Sequence, residues 1–531
     1  MRTVGTALVE GLVARGVDTV FGIPGVHTLE LYRGLAGSPL RHVTPRHEQG
    51  AGFMAEGHAR ATGRPGVAFV ITGPGLTNIL TPMAQARSES IPMLVISSTL
   101  PRHTLGRGTG ALHELPDQRR LMESVALWSH TLLDPRNLPE ALDRAFATAT
   151  TGRPGPIHLE IPMDVLALPC DALPPPAAPL APARPDPAAI EEAARRLAAS
   201  RRPVILAGGG ARRAAVPLRA LAEALDAPVV TTVNGRGLLA HHPLSVPASP
   251  YLPPVRALLR EADAVLALGT EFGPTDYETY EAGVMPSLAG LIRVEIDPAQ
   301  VARGPRPDLA LLADARSAAE ALLDALPLDP RPGDGTLRAT HLRDAARATL
   351  IPAHQRALSV LETIRATLPG TPLVGDSTEP IYAGNLFFEP DAPGLWFNSA
   401  MGFGTLGYAL PAAIGRALAD PSRPVVALAG DGGLQFTLSE LGSLADAKAP
   451  VIVLVWNSNG YAEIELAVRE AGVTPIGVTP SAPDFVAVAR AYGLPAERAT
   501  SLDALPGLLR QAAERGGPAL IDLPTAVVHG T

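Results

Sequence analysis

Short apolar runs alternate with segments of helical periodicity along the whole chain. Near the N-terminus the runs lie in DTVFGIPG and RPGVAFVITGPG, both ending in glycine turns, and IPMLVIS follows. RPVILAGGG, APVVTTV, ADAVLALG and LIRVEID occupy the middle; TPLVGD, RPVVALAGDG and APVIVLVW occupy the last third. Near-continuous apolar runs belong to strands buried on both faces, and helical segments between them imply parallel sheets covered by helices. Ligands of such sheets bind at the carboxyl ends of the strands. The polar residues that matter are therefore those directly after each run. The N-terminal MRTVGTALVEGLVARG places Glu10 inside an amphipathic repeat and lacks an apolar signal core, so it reads as a helix of the fold.

Proline punctuates this pattern. LPCDALPPPAAPLAPARPDP, Leu168 to Pro187, is too proline-rich for a helix or a central strand and reads as a semi-rigid linker. A second break lies near ALPLDPRPGDG, Ala325 to Gly335. The chain divides into 1–167, 188–325 and 340–531, each expected to be an α/β domain with a mostly parallel sheet. Three domains suit a length of 531 residues.

Composition narrows the function. Apolar residues make up 46% and charged ones 18%, as in soluble globular proteins. A net charge of −8 speaks against a nucleic-acid partner. No apolar run approaches the roughly 20 residues of a membrane span. A single cysteine, Cys170, points to a reducing cytoplasm. Lys448 is the only lysine, and DAKAP is not the context of a phosphate-binding loop or a Schiff base.

The richest stretch is GDGGLQFTLSELGSLADAKAPVIVLVWNSNGY, Gly430 to Tyr461. Asp431 stands just past a strand, between glycines. Thr437 and Glu440 have capping-box spacing, so a helix is expected to start there and end near Ala447. One right-handed crossover then returns the chain and sets Asn457 to Gly460 at the same sheet edge as Asp431. Neighbouring strands lie about 4.8 Å apart, within common reach of one ion. Mg²⁺ takes oxygen ligands shared with phosphates, and glycine leaves backbone N–H groups free to meet a phosphate. Taken alone, Asp431 and Asn457 serve equally well as turn-closing residues.

Five motifs together resemble the thiamine-diphosphate-dependent enzymes of the acetolactate synthase and 2-oxoacid decarboxylase superfamily. They are FGIPG (Phe21 to Gly25), RHEQGAGFMA (Arg46 to Ala55), TGPGLTN (Thr72 to Asn78), MGFGTLGYALPAAIG (Met401 to Gly415) and the Gly430 to Tyr461 stretch. The resemblance implies that family's fold, with a Rossmann-like middle domain, and thiamine diphosphate with Mg²⁺ as cofactors. Its metal ligands map to Asp431, Ser458 and the Gly460 carbonyl. Serine replaces the family's second asparagine, so weaker metal retention is expected, and Asn459 or a water competes for that place. Gly430, Gly432, Gly433, Tyr461 and Thr378 map near the diphosphate. Glu48 maps to the acid that protonates the aminopyrimidine, and an apolar setting of glycines, Phe53 and Met54 is expected to favour its neutral form. Leu406 maps to the wedge that bends the cofactor, and the Gly404 carbonyl to the acceptor of its amino group. Each site is expected between two subunits of a homodimer or homotetramer, with Glu48 and Asp431 from different chains.

Two features point to decarboxylation of a cationic 2-oxoacid. GYAEIE sets Glu463 where decarboxylase relatives line the substrate pocket with an apolar residue, and Glu465 falls on another helix face. FGIPGVHTLELYRG, RHVTPRHEQGAGFMAEGHAR and LHELPDQRRL resemble enzymes acting on 5-guanidino-2-oxopentanoate. A carboxylate holds a guanidinium by two parallel hydrogen bonds. His113 matches a position near the reacting carbon, and His27 follows a turn facing the site; His241 and His242 read as structural. The rival enzyme reading is an acetolactate synthase-type carboligase acting on pyruvate, whose middle domain, the resemblance implies, binds FAD, as some non-synthase relatives also do. AGGGARRAA lacks the GxGxxG spacing of a nicotinamide site. A catalytically silent paralogue would fit Ser458 but not the retention of Glu48, Asp431 and Leu406.

Overall fold

The computed structural model describes residues 2–277, 287–327 and 333–530. Residues 328–332 of the second proline break, and Glu278 at the end of GTEFGPTDYE, lie outside them. Three six-stranded sheets follow one another, and every strand pairing is parallel. The first holds β1 (Thr19–Gly22), β2 (Arg41–Val43), β3 (Gly66–Val70), β4 (Met93–Thr99), β5 (Trp128–Thr131) and β6 (Pro156–Pro162) in the order β2-β1-β3-β4-β6-β5. The second holds β7 (Pro203–Ala207), β8 (Val229–Thr231), β9 (Ser245–Val246), β10 (Ala264–Leu268), β11 (Leu291–Glu295) and β12 (Leu309–Leu312). Its order, β12-β11-β10-β7-β8-β9, is the doubly wound arrangement with the switch point between β7 and β10. The third holds β13 (Leu373–Gly375), β14 (Trp396–Asn398), β15 (Val425–Gly430), β16 (Val451–Asn457), β17 (Ala496–Arg498) and β18 (Ala519–Pro524). Its order, β14-β13-β15-β16-β18-β17, repeats that of the first sheet strand for strand.

Side chains alternate across a strand, and the third sheet uses both faces. On β15, Val425, Ala427 and Ala429 join a core shared with the first domain, whereas Val426 and Leu428 join one shared with the middle domain. On β16 the same division separates Val451, Val453 and Val455 from Ile452 and Leu454. The third domain is thus buried between the other two. No described helix is long and apolar enough to cross a membrane.

The first and third domains meet through equivalent helices, Glu48–Thr62 and Ala409–Ala419, each lying between strands two and three of its sheet. Their backbones touch. A Cβ on Gly57 would stand 2.7 Å from the Ala412 carbonyl carbon, and one on Gly415 would stand 2.7 Å from that of Met54. Each glycine lies three residues beyond the carbonyl that its counterpart approaches, so the crossing is pseudo-twofold within one chain.

Between the first two domains, 171–186 carries no regular structure, and the helix Pro187–Ala199 starts on an Asp186 cap. The helix Gly335–Ala348 falls largely in the third sequence block yet packs on the middle domain. Arg338 donates to the Pro203 carbonyl and Arg343 to those of Pro243 and Ser245.

Candidate active site

The strands β13, β15 and β16 end side by side and deliver the expected polar residues to one edge. Asp431, 2% exposed, opens a five-residue helix, Asp431–Gln435. Its Oδ1 accepts from the Ser458 amide at 3.2 Å and the Ser458 hydroxyl at 3.1 Å, and its Oδ2 from the Gly460 amide at 2.8 Å. The same hydroxyl lies 3.0 Å from the Gly460 carbonyl. One hydroxyl proton serves only one of these two acceptors, so a carboxylate, a hydroxyl and a carbonyl converge with an unfilled oxygen between them. Three hard oxygen donors converging at one strand end fit Mg²⁺. Asn457 is turned away, donating to Asp522 at 3.0 Å, and Asn459 is exposed with φ 59°. Of the polar trio, Ser458 is the one bonded to Asp431.

The expected capping box does not form. Thr437 donates instead to the Gly407 carbonyl at 2.8 Å, and the second helix starts at Glu440 (Glu440–Ala447) without a side-chain cap. Glu440 faces the first domain, where it accepts from the Arg46 and His47 amides at 3.0 and 3.1 Å and so pins the start of the Glu48 helix.

The turn's glycines are each pressed against a neighbour. A Cβ on Gly432 would lie 2.5 Å from the Tyr461 ring, on Gly430 3.1 Å from the Thr378 hydroxyl, and on Gly433 3.1 Å from the Asp376 carboxyl. Side chains there would collide with Tyr461, Thr378 and Asp376, and the first N–H groups of a helix have no intrahelical partner, so they are free to meet an anion. Asp376, fully buried, accepts from the Gly407 amide at 2.8 Å, the Tyr408 amide at 3.1 Å and the Ser377 amide at 2.9 Å. Burial pushes its carboxyl up to about 6 against these hydrogen bonds. It thereby holds the loop carrying Gly404, exposed with φ 72°, and Leu406, half-buried.

Glu48 is the first residue of its helix and half-buried. Its Oε2 accepts from Asn78 at 2.9 Å, and Gly75 lies against its Oε1. The apolar setting expected of Phe53 and Met54 is not met, because both point into the shared core. His27 and His113, read separately from the sequence, form an edge-to-face pair 5.0 Å apart. His27 is buried with no partner for Nδ1, and burial, then His113, lower its pKa. His113 adopts φ 67° at the end of a loop whose carbonyl meets Gly73. His241 and His242 pair with Asp391 and Glu223, away from this edge.

Glu463 lies on the helix Ala462–Glu470, which begins just after Tyr461. It is half-buried, and its pKa is raised by burial and then by Glu379, against a lowering by His529. Glu465 pairs with Arg469 on the outer face. Sequence reading missed Glu379 and His529 and misread the roles of Glu440 and Asp376. Glu379 was findable as the charge directly after VGDST, whereas His529 and Glu440 act from sequence-distant helices.

The sequence matches the family models described as the thiamine pyrophosphate enzyme N-terminal TPP binding domain over residues 2–121, central domain over 190–322, and C-terminal TPP binding domain over 379–523. It is 45% identical to the probable 2-ketoarginine decarboxylase AruI of Pseudomonas aeruginosa, across 98% of this chain and 94% of that protein. It is 31% identical to a probable acetolactate synthase large subunit of Methanocaldococcus jannaschii (97% and 91% covered). Identity is 30% to the acetolactate synthase large subunit of Parasynechococcus marenigrum (97% and 86%). With those matches, and with the oxygen cluster and glycine cradle at the third sheet's edge, the chain belongs to the thiamine pyrophosphate enzymes.

Proposed function

We propose that this enzyme decarboxylates 5-guanidino-2-oxopentanoate, consuming one proton and releasing 4-guanidinobutanal and CO₂. The observation that carries the reading is Glu463, a half-buried carboxylate beside the cofactor turn with no ion-pair or hydrogen-bond partner among the described residues. The relative named as a 2-ketoarginine decarboxylase supports it. The acetolactate synthase relatives support the rival, carboligation of pyruvate. A methyl group beside Glu463 would leave that carboxylate desolvated and unpaired, which is costly.

Bound thiamine diphosphate supplies the electron sink for the pair released with CO₂. Asp431, Ser458 and the Gly460 carbonyl would hold Mg²⁺, and Gly430, Gly432, Gly433, Thr378 and Tyr461 would line the diphosphate. Glu48, oriented by Asn78, would meet the aminopyrimidine with its carboxyl group. Leu406 would pack against the cofactor, and the Gly404 carbonyl would offer an acceptor to its amino group. His27 and His113 manage the proton that replaces CO₂ on the product.

The assembly is a homodimer or a larger homo-oligomer with sites between chains. The Ala462–Glu470 helix supports this: none of its residues is buried in one chain, and Ile464 and Leu466 are 57% and 52% exposed. Mixing inactive Glu48→Gln and Asp431→Asn chains then restores about a quarter of wild-type activity, because a twofold hybrid carries one intact site. No restoration would place both acids in one chain's site.

CO₂ release across a panel of 2-oxoacids, with thiamine diphosphate and Mg²⁺ supplied, tests the substrate. Glu463→Ala should lose activity on the guanidino acid far more than on branched-chain acids. Equal losses, or acetolactate formed from pyruvate as the main product, would overturn the reading.

A further inference from the structure

Glu379 opens the helix Glu379–Leu386 directly after Thr378, at the end of β13. It is 9% exposed, and its Oε2 lies 3.0 Å from Nε2 of His529, on the helix Thr525–His529 that follows β18. Arg356 donates to Nδ1 of the same ring at 3.0 Å. That contact makes Nδ1 an acceptor, so the hydrogen-bond network assigns a ring proton to Nε2, which donates to Glu379. The His529 ring is fixed further by edge contact with Trp456, 5.9 Å away.

Oε1 of Glu379 takes no hydrogen bond among the described residues, and its charge is opposed by the helix N-terminus beneath it. An acid in the first turn of a helix is often no more than a dipole partner. Such a residue needs neither burial nor an imidazole oriented by an arginine behind it. Glu463, on the helix that follows β16, lies at the same edge of the sheet, where β13 and β16 flank β15. Burial raises its pKa and the Glu379 charge raises it further, and Glu463 in turn raises the pKa of Tyr382, one turn along the Glu379 helix.

Resting on the decarboxylase reading above, we propose that Glu379, positioned by His529, is a second specificity-determining carboxylate, so that Glu463 and Glu379 together receive one guanidinium. A guanidinium carries five donors in a plane, and one carboxylate engages two of them. A second carboxylate takes another edge, an arrangement that an ammonium cannot match. The pocket is therefore selective for guanidino over amino 2-oxoacids as well as over apolar ones.

The test compares kcat/KM for 5-guanidino-2-oxopentanoate and 2-oxopentanoate in the holoenzyme. Glu379→Gln should lower the guanidino-to-apolar ratio by about ten- to a hundredfold, through KM rather than kcat. His529→Ala should lower it in the same direction, and His529→Gln, which keeps a donor near Oε2, should recover most of it. An unchanged ratio in Glu379→Gln would overturn the proposal. So would a loss carried by kcat alone on both substrates. Inhibition of the wild-type enzyme needs no variant: butylguanidinium should bind at least about tenfold tighter than butylammonium, and equal inhibition would also overturn it. If the wild-type enzyme does not turn over the guanidino acid at all, the substrate reading has failed. If it does and the ratio ignores Glu379, only the second carboxylate has.

Discussion

Replacing Gly57 by alanine tests the pseudo-twofold crossing on which the acid's placement depends. The new Cβ would lie 2.7 Å from the Ala412 carbonyl carbon and 3.0 Å from its Cα, with the carbonyl oxygen nearer still. Unbonded carbons rest about 3.5–4.0 Å apart, so the two helices must part by about 1 Å. A gap of that size forfeits a quarter to a half of each dispersion contact across the crossing. Overpacking costs about 1–3 kcal/mol, and backbone against backbone has no rotamer with which to yield, so about 3 kcal/mol is expected. With an unfolding entropy of about 2.1 cal/mol/K per residue over 531 residues, each kcal/mol shifts the melting temperature by about 1 °C, so it should fall by about 3 °C. If Glu48 acts as proposed, activity should fall by about a hundredfold, because it begins the displaced helix and an error of 1 Å at a catalytic group costs that much. Gly415→Ala should behave alike, and the double variant should lose less than the sum, since the first Cβ has already opened the gap. Gly507 is the control: it lies in the helix Leu505–Glu514 with open space where a Cβ would go, and its alanine variant should gain about 0.5–1 kcal/mol. Thermal and denaturant unfolding of the four variants, with kcat beside them, measure this. A Gly57→Ala protein within about 0.5 kcal/mol of wild type, or strict additivity with Gly415→Ala, would refute the reasoning.

Ser458→Ala should weaken Mg²⁺ by about tenfold and Ser458→Asn should strengthen it, read by metal titration of cofactor binding; unchanged affinity in both removes Ser458 from the metal. Glu48→Gln should fold and bind cofactor normally yet lose most turnover, and substantial residual kcat would remove Glu48 from the mechanism. The KM for the proposed cationic substrate should rise as pH falls through the raised pKa of Glu463, because protonation discharges the carboxylate proposed to hold the guanidinium. The KM for an apolar 2-oxoacid should stay flat over the same window, which a pH series on both substrates checks.

The apolar runs marked ten strands correctly, from β1 to β16, because each is buried on both faces. The strands they did not mark divide by cause. β2, β5, β9, β12, β14 and β17 are the outermost strands of their sheets, short and often polar. β6 and β18 are interior, but their runs are broken by polar residues whose partners come from elsewhere. His158 on β6 sits between Ser97 and Ser129, and Asp522 on β18 takes Asn457 and Arg498. The site shows the same limit. Asp431, Ser458 and Gly460 were legible because strand ends and spacing bring them together. The Thr437–Glu440 spacing misled because a carboxylate's best partner was two unpaired amides in another domain, and local sequence cannot register that competition.

The core that the first and third domains share has a consequence for what the connectors do. Two lobes that bury the same apolar layer do not depend on a continuous polypeptide to stay together. A protease that nicks the proline-rich span before Pro187 should yield separate bands on a denaturing gel and one undivided peak on a sizing column. Covalent linkage would then serve chiefly to bring the lobes together at birth, while the grip between them persists without it.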